Sequence, residues 1–283
     1  MVLFGDLKIM RISNRCIIVG GGSSIRENNW HTPIKDLKIW NILRNEVTIG
    51  LNFSYHWLIP TIFMFADYAF YHTQFEHLKK LPLLLTVEDG YYNREECIGK
   101  LPQLYFLKTC KAKKYKKWGD KEEGLHPYYW GKDSWKNGWY VNQLCSILAL
   151  NFAINGLSAK EIFLLGIDAC EINGHTHFYD DTEIGKYKYN NHVYYGVGKD
   201  ERGFYRTGNY NKIDELNNFW YKPFKQEWNN GVRIWNVSQQ SALTIFPQIT
   251  YKAFYAMLRN NRYAWKQEEL RENIKELIKE KSC

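Results

Sequence analysis

The sequence lacks paired cysteines and long hydrophobic runs, and both absences narrow the class of protein. Its six cysteines are scattered without a C-x-x-C pair, and Cys16, Cys145 and Cys170 lie in apolar surroundings typical of reduced core thiols. The most apolar segment, residues 139–154, is interrupted by two asparagines and a glutamine, so it is too short and too polar to cross a bilayer. The first residues do not resemble a signal peptide. We therefore expect a cytoplasmic protein without a membrane span.

The standard phosphate-binding and nucleic-acid-binding motifs are also missing. No G-x-x-x-x-G-K-[ST] string of a P-loop occurs, and the glycine run at 20–22 departs from G-x-G-x-x-G because Ile25 stands where the third glycine belongs. No zinc finger, ribonucleoprotein motif or internal repeat is present. A nucleotide site in this chain therefore has to be argued from the positions of polar residues in the fold.

The chain of 283 residues is rich in aromatic residues and positive charge, with 11 Trp, 21 Tyr, 15 Phe and a net charge of +8. Such charge favours anionic partners, such as nucleotides or nucleic acid. Exposed rings stack on sugars or bases, although a compositional bias explains their number equally well. With 45% hydrophobic residues, the chain can bury a sizeable core, and oligomer formation stays open.

Apolar periodicity predicts an alternation of strands and helices. Residues 138–155 have the spacing of a core-facing helix, with Gly156 as its C-cap, and a buried strand follows. A second amphipathic helix is predicted over 263–281. The strands are predicted at residues 15–20, 46–52, 61–67, 81–86, 103–108, 161–168 and 232–238. This order predicts an α/β fold, a Rossmann-like and mostly parallel sheet flanked by helices, in one domain over residues 1–283.

Two segments lack this periodicity. Residues 108–136 combine a lysine cluster with aromatic residues. Such a cluster is usually a solvated face, but the interleaved aromatic residues also fit a groove for a phosphodiester or an extended acceptor, or a lid over an anionic donor. Residues 170–212 are polar and rich in Gly and Tyr, and we interpret them as an inserted active-site loop, because structureless loops of this length are usually functional or mobile.

Polar residues and glycines follow several of the predicted strands. In an open α/β sheet, ligands bind outside the carboxyl ends of the strands, so these residues are candidates for a nucleotide site. Ser24 and Glu27 fit a capping box that begins a helix. The glycine run alone fits a tight turn as well as a phosphate cradle. The nucleotide-binding candidates are Gly20, Gly21, Gly22, Ser23, Ser24, Asn52 and Asp67.

Several of these blocks resemble a known family. CIIVGGGSSI resembles the start of the bacterial sialyltransferases of glycosyltransferase family 42, and equally that of the MptE-like Rossmann proteins. NFAINGLSAKEIFLLGIDACEINGHTHF is similar to their "ALGYKEIYLxGIDFY" block, and VRIWNVSQQSALTIFPQI to their last strand and "PxSxL" segment. The resemblance covers about half the chain in separate blocks in the same order. Asn52 after the second strand is similar to an asparagine that contacts the nucleotide in those enzymes, and Lys136-Asn137-Gly138 precedes the helix where they have a Ser/Thr-Ser-Gly turn. The resemblance therefore implies that Asn52 and Asn137 contact the nucleotide.

The chain also departs from that family. Gly21 stands where the sialyltransferases have Asn, and Ser23 where they have Pro. Their general-base histidine has no counterpart, because RTGNYNK at 206–212 occupies that region. The resemblance therefore implies a nucleotide-sugar donor of CMP or UDP type, with the donor sugar and the glycan or other acceptor left open.

The G-H-T-H string supplies the candidate chemistry. His175 and His177 suit a general base, a leaving-group acid or metal ligands, against a solvated loop with ordinary histidines. Asp180 and Asp181 follow without a recognised metal spacing, so no metal is expected. Asp168 could orient a hydroxyl of donor or acceptor, or cap the loop after its strand. These three catalytic candidates are His177, His175 and Asp168.

Three functions are therefore open. The first is a nucleotide-sugar-dependent glycosyltransferase. The second is an MptE-like pyrophosphokinase, with Mg²⁺ held by Asp67 or Asp168. The third is a basic nucleic-acid-binding or DNA-modifying protein on the same fold.

Overall fold

A single parallel sheet organises the described part of the molecule. The computed structural model describes residues 14–26, 29, 31–66, 68–88, 94–108, 145–175, 177–182, 217, 221–260 and 267–282. The strands are β1 Arg15–Val19, β2 Thr48–Gly50, β3 Ile62–Met64, β4 Leu84–Glu88, β5 Leu104–Lys108, β6 Glu161–Leu165 and β7 Arg233–Asn236. They lie in the order β5-β4-β3-β2-β1-β6-β7, and every pairing is parallel. The predicted Rossmann-like α/β class is confirmed.

The strand order reverses at the middle of this sheet. From β1 the chain adds β2 to β5 on one side, and then returns to place β6 on the other side of β1. Val19, at the end of β1, is paired with Gly50 of β2 and with Leu165 of β6. The segments that follow these three strands therefore leave the sheet side by side.

Helices cover both faces of the sheet. They are α1 Lys38–Leu43, α2 Tyr68–Thr73, α3 Phe75–Leu78, α4 Arg94–Lys100, α5 Cys145–Asn151, α6 Lys222–Gln226, α7 Tyr251–Asn260 and α8 Gln267–Ser282. A π-helical turn, Phe152–Gly156, continues α5, so the C-cap is Leu157 and the prediction of Gly156 as C-cap was wrong by one residue; residues 138–144 lie outside the described residues. Among the helices described, none is long and apolar enough to span a membrane.

Two hydrophobic cores follow from the alternation of side chains along the strands. Ile18 and Ile49 face one core together with Leu148 of α5 and Ile274 of α8. Ile17, Val19 and Phe63 face the other core with Trp40 of α1 and Phe254 of α7. Each fully buried side chain of this kind stabilises the fold by about 1.5–3 kcal/mol. The continuous apolar runs of the strands reflect burial on both faces.

Some local predictions differ from the structure or lie outside it. The helix predicted to begin at Ser24 is a short 3₁₀ turn, Ser23–Arg26, within the described residues. Of the predicted lid at 108–136, only Lys108 is described, as the last residue of β5. Of the predicted insertion at 170–212, residues 170–175 and 177–182 are described, and they form turns and short bridges.

Candidate functional site

The glycine turn, residues 20–22, packs directly against the loop that follows β6. The N–H of Gly20 donates to the carbonyl oxygen of Leu165, and the N–H of Gly22 donates to that of Gly166, both at 2.8 Å. A Cβ built on Gly20 would overlap the Gly166 carbonyl, and one on Gly22 would lie 2.7 Å from the same oxygen. Glycine is required here because two backbones approach closely at the ends of adjacent strands.

Asp168 joins these two loops. It is 3% exposed, and its carboxylate accepts the Ser24 N–H at 2.8 Å and the Ser24 hydroxyl at 2.5 Å. Such charge-assisted bonds are stronger than bonds between neutral groups. The N–H and hydroxyl of Ser24, which a bound phosphate could have used, are thus already occupied by a carboxylate of the protein. This also explains the short 3₁₀ turn, since the Ser24 hydroxyl faces Asp168 rather than capping a helix.

A second loop, after β7, holds the backbone of Asp168. The hydroxyl of Ser241 and the N–H of Ala242 donate to the Asp168 carbonyl at 3.0 and 2.9 Å. The buried amide of Asn236 in turn donates to the Ser241 oxygen at 2.8 Å. Ala169 then takes a left-handed conformation, φ +56°. Asp168 is therefore rigidly placed from both neighbouring strands, which suits a positioning group.

The segment 177–182 returns to cover the glycine turn. His177 forms a short antiparallel bridge with Gly22, and the N–H of Phe178 donates to the carbonyl of Gly21 at 3.1 Å. Phe178 and Tyr179 are fully buried. Tyr179 stacks on Trp57 with ring centroids 6.0 Å apart. This part of the predicted loop is thus core structure that packs between the glycine turn and the chain after β2.

His177 lies at the edge of this segment, with its ring held on two sides. Its Nδ1 is 3.3 Å from Oδ1 of Asp180, whose Oδ2 accepts the His177 N–H at 2.8 Å. The imidazole stacks on Tyr179 at 5.1 Å. Its Cδ2 atom lies 3.1 Å from a Cβ built on Gly21. The side chain is 13% exposed, so it lies at the surface of the glycine turn with a fixed orientation.

Arg26 holds the segment 177–182 through an ion pair with Asp181. Its Nη1 donates to both carboxylate oxygens of Asp181, at 2.8 and 2.7 Å. The guanidinium side chain is 5% exposed, whereas that of Asp181 is 47% exposed. A buried cation is therefore paired with an anion that reaches water, which lowers the cost of burying the charge.

Asn52 follows β2, beside the glycine turn. The N–H of Leu51 donates to the Val19 carbonyl at 2.9 Å, so the chain after β2 stays next to the end of β1. Asn52 is exposed and has φ +53°, a conformation that asparagine tolerates better than most residues. It therefore presents an amide at the same edge of the sheet.

His56 lies on the short 3₁₀ turn Ser54–His56 after Asn52. Burial, together with the nearby His77, lowers the pKa of His56 to about 4. Its ring is stacked on Phe53, which packs edge-on against Tyr179. His56 is thus neutral at physiological pH and adds no charge to this edge of the sheet.

The structure brings most of the predicted residues together. The residues gathered at the ends of β1, β2 and β6 are Gly20, Gly21, Gly22, Ser23, Ser24, Asn52, Asp168 and His177. His175 is half-buried and lies on a tight reversal, where it exchanges backbone hydrogen bonds with Ile172. Asp67 and Asn137 lie outside the described residues, so their predicted roles stay predictions.

Sequence reasoning missed the parts played by Asp180, Asp181 and Tyr179. The two aspartates were considered only as metal ligands, and across the described ranges no group of three or more His, Cys, Asp or Glu side chains could hold a metal ion. The signal available was the order His-Phe-Tyr-Asp-Asp after a predicted strand. Their contacts depend on a turn that periodicity does not reveal.

Comparison with known proteins gives no match: no family model fits the chain, and no curated protein or solved structure is significantly similar to it.

Proposed function

We propose that this protein is a glycosyltransferase that takes a CMP- or UDP-type sugar nucleotide at the carboxyl ends of β1, β2 and β6. The observation that carries the proposal is the reversal of strand order between β1 and β6, at which the glycine turn, Asn52, Asp168 and His177 meet. In open α/β sheets, ligands bind in the crevice at such a reversal. The family 42 resemblance supports a sugar nucleotide as the ligand.

The roles follow from the chemistry of each group. The exposed Asn52 amide both donates and accepts, which suits a base or ribose. The buried hydroxyl oxygen of Ser23 has no hydrogen-bond partner among the described residues. Ser23 is 0% exposed, so this oxygen lies beneath the surface of the turn and we assign it no ligand contact.

Acid–base chemistry is assigned to His177, with His175 as the second candidate. His177 lies against the glycine turn, whereas His175 lies on the reversal that bridges to Ile172. We assign Asp168 a positioning part, because both of its oxygens accept bonds from Ser24. The same engagement disfavours Asp168 as an Mg²⁺ ligand in a pyrophosphokinase.

We also propose a cytoplasmic location. The cysteines in the described ranges, Cys16, Cys97, Cys145 and Cys170, are all free thiols. Burial raises the pKa of Cys16 far above its usual range, as in an inert core thiol.

Thermal unfolding of the full chain with a ligand panel tests this proposal. CMP- and UDP-sugars without metal should raise the melting temperature, because a ligand at one hundred times its Kd adds about 2.7 kcal/mol of stability. ATP with Mg²⁺ and single-stranded DNA are the comparison ligands. A shift with ATP and Mg²⁺ alone would favour the pyrophosphokinase, and salt-sensitive DNA binding alone would favour the nucleic-acid-binding protein.

Asn52→Gly sharpens the same experiment. Glycine takes φ +53° without strain, so the free protein should keep its melting temperature while nucleotide affinity falls about tenfold through the lost amide. Asn173→Gly is the matched control, because Asn173 is also exposed at φ +53° but lies on the reversal before His175. Equal affinities for all three proteins would remove Asn52 from the site.

A further inference from the structure

We propose that Asp180 is a positioning residue that holds His177 in the Nδ1–H tautomer, so that its Nε2 is the base at the glycine turn. The carboxylate contacts His177 twice: Oδ2 accepts the backbone N–H at 2.8 Å, and Oδ1 lies 3.3 Å from Nδ1. The Asp180 side chain is 6% exposed. With Oδ2 fixed by the backbone, Oδ1 lies at ion-pair distance from Nδ1, although the contact does not have hydrogen-bond geometry in this structure.

The tautomer of His177 follows from which atoms can donate and which can accept a hydrogen bond. An ionised carboxylate only accepts hydrogen bonds, so Asp180 and the ring can form a hydrogen bond only when Nδ1 carries the proton. In a neutral imidazole, Nε2 then keeps its lone pair. Asp180 therefore selects which of the two nitrogens can accept a proton.

Packing holds the plane of the His177 ring. The ring stacks on Tyr179, which is 1% exposed and wedged against Trp57 and Phe53. The Cδ2 atom, which is bonded to Nε2, is the ring atom of His177 nearest to a Cβ built on Gly21, at 3.1 Å. A ring flip would move Nδ1 away from Asp180. The ring edge that carries Cδ2, the neighbour of Nε2, thus lies on the glycine-turn side, where the sugar nucleotide lies in the proposed function.

The other buried charged side chains near His177 have partners of their own. Arg26 is bound by both oxygens of Asp181, and Asp168 is bound to Ser24. The imidazolium formed when His177 takes a proton is therefore stabilised by the Asp180 carboxylate that already faces Nδ1.

The transfer step rests on the proposed function. The acceptor hydroxyl attacks the anomeric carbon of the donor, and its proton moves to Nε2 of His177. The bond between that carbon and the phosphate oxygen breaks, and its electron pair leaves with the nucleotide. Asp180 keeps its charge throughout and moves no proton.

Asp180→Asn tests the proposal in the full chain. The amide oxygen of Asn has to accept the His177 N–H, so its NH₂ group faces Nδ1 and reverses the tautomer. The equivalent exchange in serine proteases lowers kcat about 10⁴-fold with intact geometry. We expect a fall in kcat of about 10³–10⁴-fold, with KM within a few-fold. Asp181→Asn is the matched control, since Asp181 pairs with Arg26, and it should keep kcat within several-fold.

Nitrogen-15 NMR of the imidazole supplies a readout that needs no substrate. Long-range ¹H–¹⁵N correlations, assigned with His177→Gln, should show a protonated Nδ1 in the wild type and a protonated Nε2 in Asp180→Asn. A protonated Nε2 in the wild type overturns the proposal even if the variant does not fold. If the tautomer switches in Asp180→Asn but kcat does not change, His177 is not the base.

The two proposals fail in different ways. The expected tautomers without transfer from any sugar nucleotide would refute the glycosyltransferase and leave the assignment of Asp180 standing. Transfer activity in a wild-type protein whose Nε2 carries the proton would refute the assignment of Asp180 and leave the glycosyltransferase standing.

Discussion

Buried charged groups have different partners at the two edges of the sheet. At the amino-terminal edge, Arg15 of β1 pairs with Glu46 at 3.3 Å and Glu161 at 3.1 Å, and it donates to the Met257 carbonyl. At the carboxyl-terminal edge, the carboxylate of Asp168 accepts hydrogen bonds from the neutral N–H and hydroxyl of Ser24. Ion pairs therefore connect distant elements at the amino-terminal edge, whereas hydrogen bonds from neutral groups connect them at the carboxyl-terminal edge.

Backbone strain is also unequally distributed. Four described residues other than glycine have positive φ, and three of them, Asn52, Ala169 and Asn173, follow the carboxyl ends of β2 and β6. The fourth, Ser158, precedes β6 at the opposite edge. This conformation costs about 1–2 kcal/mol at Ala169 and Ser158, and less at the two asparagines, which tolerate it. The amino-terminal edge thus buries charges that depend on their partners, while the carboxyl-terminal edge holds most of the left-handed backbone.

The largest expected change in the free energy of unfolding comes from removing Arg15 at the amino-terminal edge. Arg15→Met should lower the free energy of unfolding by about 3–5 kcal/mol at pH 8, because it leaves Glu46 buried without its cation. Urea unfolding measures this. Lys79→Met is the control: Lys79 and Glu76 pair at 2.9 Å on the surface, with side chains 46% and 76% exposed, so its loss should cost under about 1 kcal/mol. Equal effects would refute the contrast between buried and exposed pairs.

A smaller effect concerns pH. Burial outweighs the attraction of Arg15 and raises the pKa of Glu46 from 4.5 to about 7. The folded state therefore holds a proton that the unfolded state loses above pH 4.5. This contribution to stability is complete below about pH 4.5 and is lost as the pH rises through about 7, by about 3 kcal/mol.

Glu46→Gln checks that sign. The glutamine side chain has no proton to lose and can still accept from Arg15, so the variant should show a flatter stability profile than the wild type between about pH 5 and 8. Urea unfolding at several pH values measures the difference. Parallel profiles would show that Glu46 does not titrate in this range.

The smallest of the three effects probes the carboxyl-terminal edge. Gly22→Ala should lower the free energy of unfolding by about 1–3 kcal/mol, because the new methyl group meets the Asp168 carboxylate and the Gly166 carbonyl. Gly99→Ala in α4 is the control; nothing lies within 4 Å of its Cβ, so a gain of about 0.5–1 kcal/mol is expected. A neutral Gly22→Ala would mean that the two loops separate easily.

Much of the fold could be predicted because its signals are local. RCIIV and EIFLL are apolar runs rich in β-branched or bulky residues, and both are buried strands. The terminal helix followed from apolar residues three and four positions apart, and Leu270, Ile274 and Ile278 are buried. The helix predicted at Ser24 was wrong in type, because its capping hydroxyl is bound by a residue 144 positions away.

By itself, the sequence determined the α/β class, most strand positions and the presence of glycines and polar residues at strand ends, since each depends on neighbouring residues. Only the tertiary structure decided that β6 lies beside β1, that Asp168 is bound to Ser24, and that His177 faces Gly21. The physical reason is that strand order and side-chain direction depend on packing between residues far apart in the chain. Even the His177–Asp180 pair, three residues apart, depends on it, because the stacked Tyr179 sets the ring's orientation.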